Sequence, residues 1–86
     1  MNNEEECTIL TELETILIEE YDVTADDIMT DANYGIFTKN SKQIASYFIY
    51  NFANGIAEID FTIYEENIKN AGTDKISRDV MVVLWV

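Results

Sequence analysis

The sequence has no proline and no histidine, and it contains one cysteine and three glycines among its 86 residues. Without proline, nothing in the chain forces a long helix or strand to break. A single cysteine excludes an internal disulfide, and the lack of histidine and of paired cysteines excludes the common zinc sites. We therefore expect one domain, residues 1–86, that is stabilised by its hydrophobic residues, which make up 48% of the chain.

Basic residues are also scarce, with five Lys and Arg against 17 Asp and Glu and a net charge of −12. Residues 1–38 carry eleven of these acids and no base. Such a chain is repelled by nucleic acid and by anionic membranes, and it is attracted to basic protein surfaces. Residues 1–6 are polar and acidic, unlike a signal peptide, and no apolar stretch is long enough to span a membrane. We predict a cytoplasmic monomer that contacts neither nucleic acid nor membrane.

The spacing of apolar residues predicts two helices in the first two thirds of the chain. One covers residues 4–20, with Asn3 as its predicted cap, and the other covers residues 41–54. In the second helix, Asn40 suits the N-cap position, so that Ser41 lies in the first turn and Phe48 and Phe52 lie in the core. The apolar stripes are Ile9, Leu10, Leu13, Ile16, Leu17 and Tyr21 in the first helix and Ile44, Ala45, Phe48, Ile49 and Phe52 in the second.

The last third of the chain fits two structures equally well. Apolar residues alternate with polar ones from Ala57 to Ile63, which is the period of a strand, and residues 80–86 are rich in β-branched side chains. The same residues also allow a short third helix and a fourth helix. Periodicity alone leaves the choice between strands and helices open.

Residues 9–54 resemble the acyl carrier protein family. Carriers begin with an amphipathic helix, to which residues 9–20 correspond, and continue with a short hydrophobic segment like residues 21–28. A polar turn follows that ends in an aromatic residue, like Tyr34 here. The second helix of carriers then begins with a serine, and Ser41 has the corresponding position. The resemblance implies an all-α fold, a four-helix bundle with a short third helix, and it favours helices for residues 57–86. The alternative is an α+β fold with two helices and a C-terminal antiparallel hairpin.

The resemblance also implies a function that is not enzymatic. Ser41 would carry 4′-phosphopantetheine, whose thiol holds an acyl or aminoacyl group as a thioester. The partners would be a phosphopantetheinyl transferase and acyl-processing enzymes with basic surfaces. Lys42 would lie beside the phosphate, and Tyr47 and Tyr50 would face the docking enzymes.

The attachment point departs from the family pattern, which implies alternatives. The family has Asp-Ser-Leu or Asp-Ser-Met where this chain has Asn40-Ser41-Lys42, and residues 42–52 contain no acid although the second helix of carriers is acidic. The chain is then either a divergent carrier or a carrier-like fold that is never modified. The alternative function is an acidic protein-binding module, such as an immunity protein, an antitoxin or an inhibitor that mimics the charge of nucleic acid.

Overall fold

The computed structural model of the protein describes residues 1–69 and 75–85. The chain begins with a long helix, α1 (Asn3–Tyr21). The side chain of Asn2 accepts a hydrogen bond from the backbone N–H of Glu5, and the Glu5 carboxylate accepts one from the N–H of Asn2, at 2.8 and 3.0 Å. This reciprocal pair satisfies two of the free N–H groups at the helix start. The predicted first helix is thus confirmed, although its cap is Asn2 rather than Asn3.

In the described part of the chain, five strands follow α1 and form one antiparallel sheet in which each strand pairs with the next along the chain. A short 3₁₀ turn at Ala25–Asp27 precedes the first strand, and the short helix α2 (Glu65–Lys69) follows the fourth. The strands are β1 (Met29–Asp31), β2 (Ile36–Lys39), β3 (Lys42–Ala53), β4 (Ile56–Tyr64) and β5 (Lys75–Val83).

The core lies between α1 and one face of the sheet, which we call the inner face. From α1 the apolar stripe of Ile9, Leu13, Leu17 and Tyr21 is buried. From the sheet the buried residues include Phe37, Ala45, Ala57, Ile59, Phe61, Ile63 and Val82. The ring of Phe37 lies at the centre, 6.0 Å from the ring of Phe61 and 5.7 Å from that of Tyr47 between centroids. Because successive strand residues point to opposite faces, the side chains between these core residues face away from α1.

The predicted all-α four-helix bundle is wrong, because the described residues form an α+β fold dominated by the sheet. Residues 41–54, predicted as the second helix, contain β3, and most of residues 57–83 belong to β4 and β5. Residues 70–74 and 86, which the predicted C-terminal helices also covered, lie outside the described residues. The α+β alternative has the right class, but it too placed a helix where β3 lies.

Two bulges explain why β3 was mistaken for a helix. The pairing with β2 skips Ile44, and the pairing with β4 skips Tyr50. Each bulge adds one residue and shifts the phase of the alternation, so that the apolar residues of β3 are not spaced by two along its length. Together with Phe48, which points to the opposite face, they have the spacing of three and four residues that is typical of a helical stripe.

The turn between β3 and β4 is held in place by the C-terminal segment. Asn54 and Gly55 both have positive φ, 55° and 76°, as a tight hairpin turn requires. The carbonyl of Gly55 accepts hydrogen bonds from the N–H groups of Leu84 and Trp85, at 2.7 and 3.3 Å. The indole N–H of Trp85 donates to Glu5 at 3.1 Å, which connects this turn to the start of α1.

We expect Gly55→Ala to lower the free energy of unfolding by at least about 1–2 kcal/mol, since a left-handed backbone is costly for other residues. The new Cβ would also lie 2.6 Å from Cδ2 of the Trp85 indole, with the Trp85 carbonyl oxygen closer still. Urea denaturation measures the loss. Asn54→Gly in the same turn is the control and should change stability little, so equal losses from both substitutions would contradict this turn geometry.

Candidate functional site

The face of the sheet that points away from α1 carries several exposed apolar side chains, and we call the part of it that contains them the open face. It is built from three strands whose register places their outward side chains in rows. Its members are Phe48 and Tyr50 of β3, Ile56, Glu58 and Asp60 of β4, and Asp79, Met81 and Val83 of β5. No helix in residues 1–69 and 75–85 covers these side chains, six of which are exposed while Ile56 and Glu58 are half-buried.

Large apolar side chains of the open face are exposed to solvent. Phe48 is 68% exposed, Met81 64%, Val83 60% and Tyr50 49%. Single exposed apolar residues are common on proteins, but several on one continuous sheet face usually mark a surface that contacts another molecule. The open face therefore has the character of a contact surface.

Acidic residues lie among these apolar side chains. Phe48, Asp60 and Asp79 form one row across β3, β4 and β5. Glu58 lies in the next row, where Asn51 donates a hydrogen bond to its carboxylate at 2.9 Å. Within residues 1–69 and 75–85 the one ion pair is between Arg78 and Glu20, at 2.8 Å, and neither residue belongs to the open face. The acids of the open face thus lack a cationic partner in the described part of the chain.

Asp60 and Asp79 face each other directly across β4 and β5. The hydrogen bond from Leu84 N–H to the Gly55 carbonyl identifies the pair next to it, Ile56 and Val83, as a pair without mutual hydrogen bonds. Pairs of this kind recur at every second residue along the unbroken register, and Asp60 and Asp79 form one of them. Side chains approach each other most closely in such pairs. Two like charges are therefore held together at one end of the open face.

The hydroxyl of Tyr50 is part of the same negative environment. The pKa of Tyr50 is raised above its ordinary value, first by desolvation and then by the negative charges of Asp79 and Glu58. Tyr50 therefore remains neutral throughout the physiological range of pH.

The chemical character of the open face is that of a contact surface: it offers apolar area, hydrogen-bond acceptors and negative charge. No polar or charged side chain among the described residues is buried, and no group of His, Cys, Asp or Glu among them has the arrangement of a metal site.

Ser41 lies in the two-residue turn between β2 and β3 rather than in the first turn of a helix. Asn40 and Ser41 both have positive φ, 52° and 65°, and both are exposed. The carrier hypothesis required free helical N–H groups around the attached phosphate, and no helix begins at this position in the structure. Attachment of 4′-phosphopantetheine at Ser41 stays a prediction from the sequence, without support from the geometry.

The other predicted site residues do not lie together. Lys42 is exposed at the start of β3, roughly 25 Å along the strand from Tyr50 at about 3.3 Å per residue. Tyr47 points to the inner face against Phe37 and is only partly exposed, and its pKa is raised by burial and by Glu6 and Asp31. Of the predicted contact residues, Tyr50 alone belongs to the open face.

Sequence reasoning missed most of the open face. Phe48 was predicted in the core and is largely exposed, and Asp60, Asp79 and Met81 were assigned no role. The alternation from Ala57 to Ile63 was the available signal, because a strand with that period must display Glu58 and Asp60 on one side. Which residues of β3 and β5 join them depends on register.

Comparisons with known proteins found no match from which a function could be inferred. No protein-family model, no curated protein and no solved structure matches this chain. In residues 1–69 and 75–85, no helix is both long and apolar enough to cross a membrane.

We expect Ser41→Gly to raise the free energy of unfolding by about 0.5–1 kcal/mol, because it relieves a left-handed serine but adds entropy to the unfolded chain. Denaturant unfolding measures the gain. The neighbouring Lys42→Gly is the control and should destabilise, since glycine weakens a strand. A loss of stability from Ser41→Gly is what a helical first turn would produce, and it would contradict the hairpin.

We also expect Asp60→Asn to stabilise the protein by about 0.2–1 kcal/mol, since it removes one of two like charges that face each other. The gain should shrink as salt is added, because salt screens the repulsion between exposed charges. Asp26→Asn, in the exposed 3₁₀ turn, removes the same charge from a strongly negative chain and serves as the control. If the two variants gain equally, only net charge is responsible and the facing pair contributes nothing.

Proposed function

We propose that this protein is an acidic protein-binding module that docks its open face on a basic surface of another protein. The observation that carries the proposal is the combination of exposed Phe48 and Met81 with the acids Glu58, Asp60 and Asp79 on the sheet face that no described helix covers. Immunity proteins, antitoxins and inhibitors that mimic nucleic acid are modules of this kind. A cytoplasmic location remains part of the proposal.

Apolar and charged groups make different contributions to such an interface. Interface energy concentrates in a few buried side chains, among which aromatic residues are enriched, and Phe48 and Tyr50 are the aromatic residues of the open face. The acids increase the rate of encounter with a basic partner and penalise acidic ones. Phe48 and Tyr50 would therefore hold the complex, while the acids would select the partner.

The distribution of charge over the whole chain supports a basic partner. The net charge is −12, and the first 38 residues have no base to compensate their acids. Proteins with a surface for nucleic acid present clustered Lys and Arg, which such a chain would attract over distances of about a Debye length, roughly 8–10 Å. A partner whose own function is to contact nucleic acid fits this field best.

The face is also costly to maintain, which argues for a role beyond stability. Facing carboxylates such as Asp60 and Asp79 oppose folding, and exposed Phe48 gains nothing from burial in the isolated chain. Stability lost at one place in a natural protein often reflects a functional requirement there. A cationic side chain of a partner, placed between the two acids, would relieve the repulsion.

The test is to recover binding proteins from the native cell extract, identify and purify each one, and measure its binding to the wild-type chain by calorimetry. We expect a basic protein whose dissociation constant rises at least about tenfold for Phe48→Ala, as for an aromatic residue that carries interface energy. Association should also slow as salt is added.

Tyr34→Ala is the matched control, because Tyr34 is an equally exposed aromatic residue in the turn between β1 and β2, outside the open face. It should leave the dissociation constant unchanged. The proposal fails if every purified binder tolerates Phe48→Ala as well as Tyr34→Ala, or if the binders that depend on Phe48 are acidic.

A further inference from the structure

The strand β5 forms an edge of the sheet with an unpaired side. It pairs with β4 along all nine of its residues, and the strand order places no described strand beyond it. The opposite edge, β1, has only three residues. Of the two edge strands in the described sheet, β5 is therefore the longer, and it offers the longer template for an additional strand.

The hydrogen bonds of β5 show which backbone groups are free on this side. Since Leu84 donates to Gly55 and the register with β4 is unbroken, the N–H groups of Val82, Val80 and Arg78 also point toward β4. The N–H and C=O groups of the alternate residues point away from the sheet. These residues are Ser77, Asp79, Met81 and Val83, and the side chains of the last three belong to the open face.

Half of this edge lacks the features that usually block strand addition. Natural edges are protected by proline, lysine, bulges or inward-pointing charges. The first half of β5 has Lys75 and Arg78, and Arg78 points to the inner face, where it pairs with Glu20. The second half, residues 80–83, has no charge, no proline and no bulge. The unprotected half is the one that adjoins the apolar part of the open face.

We propose that the edge of β5 takes up an extended segment of a basic protein as a sixth strand. This inference rests on the proposed function, since it specifies how the same basic partner is recognised. Backbone hydrogen bonds to Asp79, Met81 and Val83 supply affinity, and alternate side chains of the added strand supply specificity. One alternate side chain lies beside Asp79 and is cationic, and the ones beside Met81 and Val83 are apolar.

A second copy of the chain fits this edge less well than a basic segment does. Residue 79 is the midpoint of β5, so antiparallel pairing of two full-length β5 strands would place Asp79 opposite the same residue of the other copy. Facing like charges are destabilising, and each copy carries a net charge of −12. A cationic segment is instead attracted by Asp79 and by the negative charge of the chain.

The experiment selects binders from a phage-displayed library of random dodecapeptides on the immobilised full-length chain. Enriched peptides should carry one Lys or Arg and two apolar residues at successive alternate positions, so that all three lie on one face of the added strand. Synthetic copies should bind Met81→Pro at least about tenfold more weakly than Met81→Ala, because both variants lack the methionine side chain and only proline also lacks the outward N–H.

Hydrogen exchange on the wild-type chain is a second readout that does not depend on the proline variant folding. Bound peptide should slow exchange at the amides of Asp79 and Met81, which have no partner within β5 and β4, while Val80 and Val82 are already protected by β4. Failure to enrich any peptide, or binding without this protection, would overturn the inference. So would a dimer of the chain that Met81→Pro dissociates, since the edge would then belong to a second copy.

This test is separate from the test of the proposed function. A folded basic partner that depends on Phe48 but is indifferent to Met81→Pro would leave docking on the open face intact and remove only the added strand. If peptides bind the edge of β5 but no basic protein binds through Phe48, the added strand is supported and docking on the open face is contradicted.

Discussion

The packing of one helix stripe against one face of the sheet is the constraint on which the other features of the structure depend. The stripe of α1 from Ile9 to Tyr21 is buried against Phe37, Phe61 and their neighbours. Strand residues alternate between faces, so each residue that this helix buries leaves the next one on the other side. With no second helix long enough to cover that side in the described residues, the side chains of the open face meet solvent.

The open face combines two properties that stability alone would not favour. Large apolar side chains remain exposed on it, and two of its acids, Asp60 and Asp79, repel each other across β4 and β5. A sheet face that served only as a surface would be more stable with alternating charges and smaller apolar groups. Both properties gain an explanation when a partner with apolar and cationic groups covers the face, and the free edge of β5 continues the same surface.

The sequence predicted α1 to within one residue at each end, because a helical stripe is a local signal that Ile9, Leu13 and Leu17 carry by themselves. It also contained the alternation of β4, which the resemblance to acyl carrier proteins outweighed. The prediction for β3 was wrong since the bulges at Ile44 and Tyr50 shift the strand phase and imitate helical spacing. In the same way, Asn40 and Gln43 have the spacing of a helix cap, whereas Asn40 and Ser41 form a hairpin turn.

By itself the sequence determined the first helix and the one-sided distribution of charge, because each depends on residues close together in the chain or on composition. Only the tertiary structure decided that Phe48, Asp60 and Asp79 form one row, since the strands that carry them are far apart in sequence and meet through their register. Register depends on which faces can be buried together and on where bulges shift the phase, and both are properties of the assembled sheet rather than of any one segment.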